Sequence, residues 1–109
     1  MSKYSERERD VPRMLWTKAR PCQAFLGPWP AALIWPCEGV IEADHAGGGS
    51  GMGRKCDDSL LVSLCVRHHR APGLEHLVYG HVQHGTVRQW KREQADRNRA
   101  QYDKEQAGG

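Results

Sequence analysis

The sequence predicts an α+β domain in which a two-stranded hairpin and a short helix surround a metal site, with a long helix at the C-terminal end. Three observations predict it. Ligand-type side chains concentrate between Glu42 and Arg70, opening with Asp44-His45 and closing with Cys65-x-x-His68-His69. A glycine-rich run (Gly47, Gly48, Gly49, Gly51, Gly53) separates the two groups. Apolar mass is also low: hydrophobic residues make up 39% of 109 positions, with a single Phe, so a bound metal is the expected staple of a thin core.

Each element follows from local composition. Residues 1–20 mix basic side chains (Lys3, Arg7, Arg9, Arg13, Lys18, Arg20) with Glu6, Glu8 and Asp10, and read as a basic, solvated arm. Met14, Leu15 and Trp16 are its expected docking point. Residues 21–72 form the core unit. Within 21–37, Pro28, Pro30 and Pro36 exclude a long helix and leave a loop closed at its base by two cysteines. Residues 38–45 give a short strand, with Val40 and Ile41 supplying β-propensity. The glycine run is a loop, residues 58–64 a second extended segment, and residues 65–70 a helix that Pro72-Gly73 stops. Residues 73–109 are a helical extension: a short element over 74–79, then a polar helix over 86–106 with Thr86 as N-cap and Gly108-Gly109 beyond its end. Val87, Trp90 and Tyr102 are sparse along it, so only its first turns are expected to dock. No internal repeat is visible.

The formal net charge of +3 permits a nucleic-acid partner without requiring one. No apolar run reaches the roughly 18 residues that span a bilayer. The charged N-terminus shows no secretory signal, so a cytoplasmic setting without membrane contact is expected. There Cys22, Cys37, Cys56 and Cys65 are thiols or zinc ligands rather than disulfide partners.

Strand, loop, strand and helix, with Asp-His at one end and His-His at the other, bring acid, base and ligand chemistry into one small unit. Phosphodiester hydrolysis needs a base to activate water and a divalent cation to stabilise charge on the phosphate. Histidine titrates near neutrality, and carboxylate with imidazole can hold such a cation. Adjacent strand residues face opposite ways, so Asp44 and His45 can take different tasks. Cys65 and His68 lie one helical turn apart, which suits a shared tetrahedral zinc. His76, His81 and His84 read as surface residues before the last helix, whose mixed charges read as a solvated face.

These elements resemble the HNH (ββα-metal) endonucleases, in particular their small phage and prophage branch. Cys22, then Cys37-Glu38-Gly39, Glu42-Ala43-Asp44-His45, Gly51-Met52-Gly53-Arg54-Lys55-Cys56-Asp57-Asp58 and Leu64-Cys65-Val66-Arg67-His68-His69 stand in that branch's order across residues 21–70. The resemblance implies an endonuclease that hydrolyses DNA phosphodiester bonds with little sequence specificity of its own. It implies His45 as general base, and Asp44 with His69 as ligands of a catalytic Mg²⁺, Mn²⁺ or other divalent ion. Asp58 stands where this branch commonly has Asp in place of the middle Asn, as metal ligand or loop-fixing residue. Cys37, Cys65, His68 and Cys22 would hold a structural Zn²⁺, with Cys56 as the rival fourth ligand. DNA is the implied partner, a phage packaging or recombination protein a further one, and the oligomeric state is open. The competing reading is a zinc-stapled DNA-binding or assembly module of the same fold without catalysis. A zinc-finger-like regulator fits the His-His ending and the Gly-Met-Gly loop poorly.

Overall fold

Asp10-Val11-Pro12 starts the first helix. Proline suits the first helical turn, where its missing N–H has no partner to lose. Asp10 Oδ1 caps the turn by accepting from the Arg13 amide at 3.1 Å. In the computed structural model, which describes residues 10–46, 59–70 and 73–108, this helix (α1) spans Val11–Lys18. The segment expected as a solvated arm therefore contains a docked helix, and residues 1–9 lie outside the described residues. Thr17 is buried, and the Trp16 ring meets Tyr102 edge-on at 5.4 Å while its Nε1 donates to Glu105 at 2.8 Å. Arg13 lies over the Tyr102 ring and pairs with Asp10 and Asp103, each at 3.1 Å. Charges that suggest solvation in the sequence are thus paired across the fold.

The proline-rich segment holds a 3₁₀ turn (Ala24–Leu26) and a four-residue helix, α2 (Ala31–Ile34). Between them Trp29 folds back, donating Nε1 to the Ala24 carbonyl at 2.9 Å and meeting Trp90 edge-on at 5.1 Å. Its ring lies directly over Gly27, where an added Cβ would come within 2.0 Å of it. Gly27 is therefore needed for close approach rather than for an unusual torsion.

Strands β1 (Ile41–His45) and β2 (Leu61–Cys65) pair antiparallel, with Ile41 opposite Cys65 and Asp44 opposite Val62. Strand β1 begins later than the expected 38–45, because Gly39 at φ 87° turns the chain before it, and β2 lies within 61–65 rather than 58–64. Every residue of β2 is buried. Its far edge is covered by Gln23, whose amide donates to the Ser63 carbonyl at 2.8 Å and whose Oε1 accepts from the Ser63 amide at 3.1 Å. An edge strand so covered offers no free ladder to another chain. Short helices α3 (Val66–His69) and α4 (Gly73–Leu77) follow, then the long helix α5 (Thr86–Gly108).

Helix α5 docks well beyond its first turns, contrary to expectation. Val87, Trp90, Gln94, Ala95, Asn98 and Tyr102 are all buried along it. The inward stripe keeps helical spacing but includes amides, so hydrophobicity alone does not reveal it. Asn98 Nδ2 donates to Gln23 Oε1 at 2.7 Å and to the Leu61 carbonyl at 2.9 Å, and Asn98 Oδ1 accepts from Gln23 Nε2 at 3.1 Å. The apolar core joins Trp29, Ile34, Val62, Leu64, Leu74, Val78, Val87 and Trp90. Among the described residues, no helix is long and apolar enough to cross a membrane.

Candidate metal centre

Three stretches of chain converge at one end of the hairpin. The segment covering β2 brings in Cys22, whose Sγ accepts from the Cys65 amide at 3.3 Å. A tight turn before β1 brings in Cys37. It is locked to α3 because the Val40 and Glu38 carbonyls accept from the Val66 and Arg67 amides at 3.1 and 3.2 Å. Gly39 has two reasons to be glycine there: its φ of 87° disfavours side chains, and a Cβ would lie 2.7 Å from Val66 Cβ. Cys65 ends β2, and His68 stands one turn further on in α3.

The ligand atoms of Cys22, Cys37, Cys65 and His68 all lie within 4.8 Å of one another. The three Sγ atoms stand 3.4, 3.9 and 3.1 Å from His68 Nδ1. A tetrahedral zinc with ordinary Zn–S and Zn–N bonds separates neighbouring ligands by about 3.5–3.8 Å. The residues therefore fit the ion. His68 is buried and shares a hydrogen bond of 2.5 Å with the Ile34 carbonyl through Nε2. Nε2 carries the proton of that bond, so the Nδ1 lone pair faces the three sulfurs, the orientation a metal-bound histidine requires.

The thiols point the same way electrostatically. Burial pushes the Cys37 thiol up to about 12, reinforced by Cys22 and Cys65, and burial raises Cys22 as well. For Cys65, burial opposes ionisation, but hydrogen bonds at the Glu38 and His68 backbone and from the Cys37 and Cys22 thiols outweigh it and hold that thiol below its ordinary value. Three adjacent thiols resist losing all their protons unless a cation compensates them, and a divalent metal supplies that charge. Cys22 fills the fourth ligand position. Cys56, its rival, lies outside the described residues, as do Asp58 and the glycine run.

A second constellation lies on the other side of α3. Glu42 and Asp44, two apart on β1, share a face and receive His69: Nδ1 meets Glu42 at 2.7 Å and Nε2 meets Asp44 at 3.3 Å. Arg70 closes on Glu42 at 2.6 Å. From α5, Lys91 Nζ makes an ion pair with Asp44 Oδ2 at 2.7 Å. An ammonium thus stands against the carboxylate proposed to hold a metal. Sequence reasoning overlooked Glu42, although strand alternation puts it beside Asp44; nothing local signals Lys91. His45 is half-buried at the end of β1.

Two sequence-based expectations need correction. Among the described residues the one metal-capable cluster is the Cys₃His set, the ligand combination of a structural zinc site rather than of a catalytic one. Asp44 and His69 are instead spent on each other, Glu42 and Lys91, and form no second such cluster. The expected endonuclease is therefore overturned: this is a structural metal site and not the His/Asn core of an HNH enzyme. Among the described residues no site for the expected catalytic Mg²⁺ or Mn²⁺ is evident. Among the described residues, His76, His81 and His84 belong to no metal-capable cluster.

The network around His69 sets a pH dependence. Asp44 chiefly, with Glu42 and against burial, holds the His69 imidazolium above its ordinary 6.5. Burial opposes ionisation of Asp44, but His69 and Lys91 outweigh it and hold the carboxyl below its ordinary 3.8. Stability from His69 is full below 6.5 and is lost as pH rises through the raised value. Stability from Asp44 is full above 3.8 and is lost as pH falls through the lowered one. The melting temperature is therefore expected to decline by a few degrees as pH is raised from 6.5 through the His69 titration. His69→Gln should flatten that decline, and an unaltered profile in the variant would reject the assignment.

Comparison of the chain with protein-family models, curated proteins and solved structures finds no match.

Proposed function

We propose that the domain is a zinc-stapled ββα module, allied to the HNH fold by its hairpin and closing helix and by the glycine-rich run in its sequence, that binds DNA without cutting it. The observation that carries this reading is the Cys₃His set, whose four protein ligand atoms lie within 4.8 Å of one another and would close a tetrahedral site. A site closed in this way gives folding energy rather than a Lewis acid for chemistry. Its three thiolates and one imidazole would hold Zn²⁺, with His68 oriented by the Ile34 carbonyl. The zinc ties the segment around Cys22, the turn at Cys37 and the end of β2 into one rigid end. The net charge of +3 and the exposed arginines of α5 supply the attraction for a polyanion.

Purified protein should contain near-stoichiometric zinc and retard duplex DNA at low salt. Supercoiled plasmid incubated with it and Mg²⁺, Mn²⁺ or Ni²⁺ should stay supercoiled. Nicking that disappears with His45→Ala would reject the reading outright.

A further inference from the structure

The outer surface of α5 is not evenly charged. Successive helical residues turn by about 100°, which puts Arg88, Arg92 and Arg99 within about 40° of one another on one flank. All three are exposed. The carboxylates beside them are already occupied: Asp96 pairs with Arg99 at 3.3 Å and Asp103 with Arg13 at 3.1 Å. Arg88 and Arg92 have no ion-pair partner among the described residues. Arg99 shares an exposed pair with Asp96, so the unpaired charges of this flank are those of Arg88 and Arg92.

We infer that the Arg88–Arg92–Arg99 flank of α5 is the face that grips the phosphate backbone of duplex DNA. The inference rests on the reading of the domain as a DNA-binding module. Along the helix axis the three guanidinium groups are spread over about 16 Å. At about 3.4 Å of rise per phosphate on one strand, that length matches roughly five phosphates. Arginine suits the contact because its fork donates to two phosphate oxygens at once. A duplex is favoured over a single strand because single strands are held by aromatic stacking. The aromatic side chains of α5, Trp90 and Tyr102, are both turned into the core.

The test uses the zinc-loaded full chain and a short fluorescein-labelled duplex, with anisotropy titrations from about 50 to 200 mM salt. Arg88→Gln/Arg92→Gln should bind at least about tenfold more weakly at the low end and flatten the log–log salt slope by about 2. Arg97→Gln/Lys104→Gln removes the same charge from exposed positions on the opposite flank and should change neither. Thermal melts should be equal for the three proteins. If wild type binds but the two double variants weaken equally, net charge and not this flank is responsible, and the inference fails while the DNA-binding reading stands. If Arg88→Gln/Arg92→Gln binds like wild type, the inference fails in the same way. A single strand bound as tightly as the duplex also overturns it. Wild type that does not bind duplex at low salt overturns both.

Discussion

Stripping metal with a strong chelator, or replacing Cys65 by Ser, is expected to unfold the domain outright. A domain of this size is held by about 5–15 kcal/mol in total. Structural zinc supplies about 10–16 kcal/mol of apparent folding energy in zinc-finger peptides. The two are comparable, so little cooperative stability should be left without the ion. Far-UV circular dichroism melts paired with elemental analysis provide the check. His68→Ala should behave like Cys65→Ser, because it removes a ligand that is buried and bonded to Ile34. Cys56→Ser should keep zinc and keep its melt. A metal-free protein with a cooperative transition near that of the zinc form would contradict this account of the centre.

The second large effect is expected at the tryptophan pair. Trp90 is 4% exposed and meets Trp29 edge-on at 5.1 Å, joining α5 to the proline-rich segment. Trp90→Ala should cost about 3–5 kcal/mol, the usual range for deleting a buried aromatic. Trp90→Phe should cost less than about 1.5 kcal/mol, because it keeps a ring in place. It also removes an indole N–H that finds no acceptor among the described residues, a group that is costly to bury. Urea melts of the two variants separate these contributions. Equal losses would mean that the edge contact is not what holds α5 to this segment.

The parts of the fold legible in the sequence were those governed by local rules. Val40 and Ile41 announced the first strand, and the Cys65–His68 spacing announced two ligands on one turn. Helix α1 was missed although its local signals, Asp10 as cap and Pro12 in the first turn, were present, because the charges around it suggested a solvated arm. Arg13 pairs with Asp103, and the Trp16 indole donates to Glu105, partners that no local rule places nearby. The long docking of α5 was hidden for a related reason, since Gln94 and Asn98 are polar by composition and buried by partnership. The candidate site divides in the same manner. The sequence supplied three cysteines and a histidine in a usable order, and they come together at one end of the hairpin. The spacing of Asp44, His45 and His69 is the same whether those groups serve a metal or one another. Lys91, from a distant helix, helps decide the matter by standing 2.7 Å from Asp44.

Hydrophobic burial is non-directional, so apolar contacts fix the axial setting of α5 less sharply than hydrogen bonds do. Asn98 sharpens it. Its amide meets Gln23 and the Leu61 carbonyl together at only one axial position and one rotational phase. Displacement by one turn, about 5.4 Å, would strand buried amide groups at about 1–3 kcal/mol each. The amide therefore works as an indexing pin that selects a single setting. That setting delivers Lys91 to Asp44 and determines where Arg88 and Arg92 emerge, about three and two turns respectively from a side chain that touches neither.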